Sequence, residues 1–167
     1  LMIRKGCSCR LEEYLAGGDP TEDLREFRRK AGQAHVQTFD ISAVAGRAHV
    51  LFCLMQSLDL EATGQLLADR VEVDLLQRVA GTNQISEAVR RAGSKEGAPS
   101  LLVIFGAPAD VRRAYWAISK QRKLRSYGGN APERPLYRVD ELRRRSVVGM
   151  ADPDPLLLVE DAALLRR

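Results

Sequence analysis

The sequence has little of what most active sites are built from. Its 167 residues include two histidines, His35 and His49, and three cysteines, Cys7, Cys9 and Cys53. An odd number of thiols without repeated spacing is not a disulfide framework. Cys7 and Cys9 share one face of a predicted strand. A zinc site wants about four ligands, usually as two close pairs, and no second Cys or His pair exists, so buried thiols are expected. There is no G-x-S-x-G elbow, no catalytic-cysteine context, and no glycine-rich phosphate loop of the G-x-x-x-x-G-K-[ST] or G-x-G-x-x-G kind. Glu87, Asp110 and Glu141 each fall in the first turn of a predicted helix, where a carboxylate complements the helix dipole. No catalytic residue, metal or cofactor is therefore expected. No apolar run approaches the roughly 20 residues of a membrane span, and the first residues lack signal-peptide character. The expectation is a cytoplasmic protein without a membrane partner.

What is present belongs to a soluble globular domain, with 45% hydrophobic and 29% charged residues. Net charge is only +4, but the cations are mostly arginine and come in clusters: Arg28-Arg29-Lys30, Arg90-Arg91, Arg112-Arg113, Lys120 to Arg125 and Arg143-Arg144-Arg145. Guanidinium forks suit phosphates and base edges, although coding bias produces the same enrichment.

Strands and helices alternate along the chain. Residues 2–10 read as a strand, followed by a short helical stretch at 11–15. Asp19-Pro20 opens a helix that Gly32 ends. A strand at 35–39 and a turn at 42–46 lead to a helix with an apolar stripe of Val50, Leu51, Leu54, Met55 and Leu58. Residues 71–79 alternate, with Val71, Val73, Leu75 and Val79 on one side and Glu72, Asp74 and Arg78 on the other, which predicts a half-buried strand. Thr82-Asn83 caps a helix whose apolar face is Ile85, Ala88, Val89 and Ala92. Residues 100–105 predict a central strand. Pro108 opens a helix with Val111, Ala114, Tyr115 and Ile118 inside; Trp116 is either a surface anchor or core. A loop over 127–135, a short helix at 140–145 and a last helix within about 153–165 complete an α/β chain, read as a single domain over 1–167 with helices packed on a sheet.

Two segments carry a resemblance. One runs from Phe39 through Gly46-Arg47-Ala48-His49-Val50 to Phe52. The other combines Val71-Glu72-Val73-Asp74-Leu75-Leu76, Gly81-Thr82-Asn83-Gln84-Ile85-Ser86-Glu87-Ala88-Val89-Arg90-Arg91-Ala92-Gly93 and Leu101-Leu102-Val103-Ile104-Phe105-Gly106. In order and spacing they resemble the archaeal and eukaryotic PRPK-binding (TPRKB-like) subunits of the KEOPS, or EKC, complex, best over 35–106 and more weakly at 140–143 and 161–165. Ala48 and Val50 depart from the family pattern, as does the arginine-rich stretch 120–145.

The resemblance implies a mixed, largely antiparallel sheet. It also implies a non-catalytic subunit that binds the complex's kinase-like ATPase and recruits tRNA by its 3′ CCA end for threonylcarbamoyladenosine formation beside the anticodon. A Gcp-type transferase would be an indirect partner. Candidate tRNA contacts are Gly46, Arg47 and His49 at a helix start, with Arg112 and Arg113; candidate ATPase contacts are Gln84, Ile85, Ala88, Val89, Leu164 and Leu165. The plainer readings are a turn glycine, solvated arginines, a core histidine and a buried helix face. The rival functions are a small RNA-processing or RNA-modifying enzyme using His49 or His35 as acid/base, and a stand-alone RNA-binding module.

Overall fold

The computed structural model describes residues 1–4 and 6–128. The predicted helices at 140–145 and 153–165, and with them Leu164 and Leu165, lie outside the described residues. The described chain divides into two compact units.

The first unit is a five-stranded antiparallel sheet with two helices: β1 (Met2–Arg4), β2 (Cys7–Leu15), α1 (Pro20–Ala31), β3 (His35–Asp40), β4 (Pro99–Gly106), α5 (Pro108–Ser119) and β5 (Arg125–Ser126). The strand order is β1-β2-β4-β3, with β5 also on β2. As the sequence predicts, β4 is central, pairing Leu11 with Val103 on one side and Val36 with Ile104 on the other. Its side chains alternate between two faces, and both are apolar and buried: Leu102 and Ile104 on one, Leu101, Val103 and Phe105 on the other. The first of these faces packs with α1 and α5 through Phe27, Ala31, Val111, Ala114 and Ile118. Phe27 meets Tyr14 edge-on at 5.2 Å between ring centroids, and its full burial contributes about 2 kcal/mol.

Helix α1 begins where its local signals place it. The Asp19 carboxylate accepts the Thr21 N–H at 2.8 Å, and Pro20 takes the first turn, where no N–H is needed. The helical stretch expected at 11–15 is instead the continuation of β2. Pairing with β4 runs on to Leu15 opposite Pro99, and those ladder bonds outweigh a helical preference of only five residues.

The second unit contains α2 (Arg47–Ala62), α3 (Val71–Ala80) and α4 (Ile85–Ala92), preceded by a 3-10 turn at Ile41–Ala43. The predicted strand at 71–79 is helix α3. Its stripe Val71, Leu75 and Val79 recurs every four residues, a spacing that also satisfies alternation. Val73, which alternation would bury, is the one residue of α3 not buried. The residues assigned to solvent, Glu72, Asp74 and Arg78, are all buried. Helix α3 packs against both α2 and α4, so it has no wide solvent face. Gly81 ends it in the left-handed region at φ 62°, a conformation open to glycine at little steric cost.

Candidate docking and nucleic-acid surfaces

Asp74 and Arg78 face each other one turn apart, with Arg78 Nε donating to Asp74 Oδ2 at 2.8 Å. The same carboxylate accepts the Ser57 hydroxyl of α2 at 2.6 Å and the Leu67 N–H at 2.7 Å. One buried carboxylate thus ties α2, the following loop and α3 together, a structural task that leaves it committed. Burial pushes the Cys53 thiol of α2 up to about 12, which makes it an inert core group. Cys7 and Cys9 are also free and buried. Among the described residues, no group of His, Cys, Asp or Glu side chains is placed to hold a metal ion.

At the start of α2, Gly46 precedes the first turn with φ 97°, a backbone that L side chains rarely adopt. Gly46 is buried and Arg47 half-buried. The Ala45 N–H donates to His49 Nδ1 at 3.2 Å, so the ring closes the turn onto its own helix and carries its proton on Nε2. His49 is fully covered, and burial lowers its pKa to about 4. A covered, neutral imidazole neither offers a face for a base nor adds charge for a phosphate. The expected stacking role of His49 is thereby corrected to that of a core histidine. The signal that misled is its place at a helix start, which suits anion binding and backbone closure equally well. His35, the other histidine, stacks on Phe105 at 5.1 Å between ring centroids.

Helix α4 splits the apolar face expected of it. Ala88 and Ala92 point inward and are buried, whereas Ile85 and Val89 are each 53% exposed. The two pairs are adjacent i, i+4 stripes, and only small alanines fit the inner one. Ala88 is thus removed from the candidate contacts, while Gln84, Ile85 and Val89 remain on the surface. Around them the charges are mutually satisfied. Glu87 accepts from Arg90 Nε at 2.7 Å and from Arg91 Nε at 2.6 Å, and these bonds lower its carboxyl to about 2.

Helix α5 presents a different surface. Val111, Ala114 and Ile118 are buried, as predicted, while Arg112, Arg113, Trp116 and Lys120 are exposed. Arg113 pairs with Asp110. Tyr115 is half-buried, with the Arg10 guanidinium 3.6 Å above its ring centroid. It meets Trp116 edge-on, at 5.5 Å between centroids. Trp116 is a surface residue, 61% exposed.

An open cleft of about 510 Å³ lies at the start of α1, lined by Asp19, Glu22, Asp23, Arg25, Glu26 and Arg122 among others. Its charges are paired, Arg25 with Glu22 along α1 and Arg122 with Asp23. Among the described residues, no helix is long and apolar enough to cross a membrane. In comparisons with known proteins, no family model matches the chain and no curated protein matches it.

Proposed function

We propose that the chain is a non-catalytic subunit of a KEOPS-type tRNA-modification complex, docking the kinase-like ATPase through α4 and recruiting tRNA. The observation that carries this reading is the exposed Ile85–Val89 pair. It sits on α4, within Gly81–Gly93, one of the segments in which the sequence resembles the family, and aliphatic side chains left in water on a short helix favour a protein-covered surface. The ordered resemblance over 35–106 supports the same reading. Arg47, Arg112 and Arg113 supply cations for tRNA, whereas the covered His49 does not join them.

The test is capture of a kinase-like ATPase and a Gcp-type transferase by the full chain, repeated with Ile85→Glu. A charge forced into a desolvated apolar contact costs several kcal/mol, enough to abolish a micromolar complex. Because Ile85 is exposed, the variant should melt like the parent. Retained capture by both folded Ile85→Glu and Leu164→Glu would place the contact elsewhere. Turnover by the isolated chain that His49→Ala abolishes would favour the RNA-enzyme alternative. Equal affinity for full-length and CCA-trimmed tRNA would remove the 3′-end half of the reading.

A further inference from the structure

The geometry points to Trp116 as a stacking platform for an unpaired nucleotide, set in a cationic surface on α5. This deepens the tRNA-recruiting half of the proposed function and rests on it for the identity of the nucleic acid. The platform itself requires only single-stranded chain.

Three observations converge. The indole is 61% exposed on a helix whose inner face is already filled by Val111, Ala114 and Ile118, so core packing does not account for it. Its orientation is set from behind: Arg10 reaches from β2 over the face of Tyr115, and Tyr115 meets Trp116 edge-on. A ring held in this way loses little rotamer freedom when a base stacks on it. The third observation is charge. Between Pro108 and Ser126 lie six cations against one carboxylate, Asp110; Arg113 pairs with Asp110 and Arg122 with Asp23 of α1, while Arg112, Lys120, Lys123 and Arg125 are exposed. That local excess of five exceeds the whole chain's +4, so the remainder is slightly acidic. Arg112 and Lys120 stand one helical turn to either side of Trp116, where cations can hold the phosphates flanking a stacked base.

The occupant follows from this charge. On α4 the aliphatic pair is accompanied by a carboxylate bonded to both neighbouring arginines. On α5 the exposed aromatic is flanked by cations, the combination that binds unpaired nucleic acid. Duplex RNA offers its bases only edge-on and would not stack.

Trp116 is the only tryptophan, so its intrinsic fluorescence reports the platform directly. The full chain is titrated with a hexanucleotide of adenosine and cytidine and with a blunt RNA duplex. Saturable quenching by the single strand, and weaker or absent quenching by the duplex, is expected. Labelled-oligonucleotide anisotropy then follows the variants. Trp116→Ala should lower affinity about tenfold or more while leaving the salt dependence unchanged, and Trp116→Phe should restore part of the loss. Arg112→Ala and Lys120→Ala should each reduce the log–log salt slope by about 0.7.

Unchanged affinity in Trp116→Ala, or binding of the single strand without quenching, overturns the proposal. So does a failure to bind that accompanies loss of ATPase capture in Trp116→Ala, since the surface would then face protein. Ile85→Glu should leave quenching intact. Quenching without ATPase capture would sink the KEOPS reading alone, and capture without quenching would sink the platform alone.

Discussion

The two units differ in the deepest ion pair each of them buries. In the sheet unit each covered carboxylate meets a cation that keeps contact with water: Glu12 with Arg10, Asp40 with Lys95 and Asp23 with Arg122, whose cationic side chains are 40%, 52% and 30% exposed. In the helical unit Glu72 meets the exposed Arg70 in the same way, but a second pair has both partners inside, with Asp74 and Arg78 only 0% and 1% exposed. A cation in contact with water keeps much of its hydration, so its pair is weak and its loss tolerable. An interior pair has given up hydration on both sides, and removing one member strands the other. The sheet unit thus relies on apolar fit and the helical unit on polar completeness.

Breaking the interior pair should have the largest effect. Asp74→Ala or Arg78→Ala is expected to lower unfolding free energy by about 3–5 kcal/mol, measured by urea denaturation. If either variant loses less than about 1 kcal/mol, the contrast between the units fails. Replacing both with apolar residues of similar volume should recover most of the loss.

Acid should act next, again on the helical unit. The folded chain holds His49 at about 4, below the ordinary value near 6.5. Between those values the unfolded chain binds more protons, so stability rises with pH across the window. The contribution is fully present above pH 6.5 and is lost as pH falls toward 4, about 3 kcal/mol in all. Urea midpoints taken along this range should slope upward in the parent and flatten in His49→Gln.

A shape change at the sheet unit's centre should cost less. Ile104→Val removes one methylene from the α1–α5 face and is expected to cost about 0.5–1.5 kcal/mol. The smallest effect belongs to a half-exposed pair: Lys95→Ala should cost about 1 kcal/mol or less and lose even that in high salt. A larger loss there would erase the distinction between half-exposed and interior pairs.

How much of this could be read from the sequence depended on how local the signal was. Helix α1 was legible because Asp19, Pro20 and Gly32 act within a turn of where they stand. The apolar run of β4 was legible because a central strand needs apolar residues on both faces. Helix α3 was not, because Val71, Leu75 and Val79 satisfy two periodicities at once. Charged residues read as solvent-facing unless their partners are known, and Ser57 and the Leu67 N–H come from elsewhere in the chain. The surface on α4 was legible only in part: composition marks its apolar residues but not which stripe lies inward. Trp116 could be placed only once Arg10, far away in sequence, was seen to occupy Tyr115.

The position of β4 also bears on the order of events in synthesis. It is the middle strand, yet it leaves the ribosome after β2, β3 and the whole helical excursion. Until then the edges of β2 and β3 that will face it have no partner, and Tyr14 and Asp40 both await Ser100. Such distant pairing slows folding, and open strand edges invite wrong neighbours in the meantime. The nascent chain therefore passes through an interval in which strand edges are exposed before their partner exists, and that interval closes only when residues 99–106 emerge.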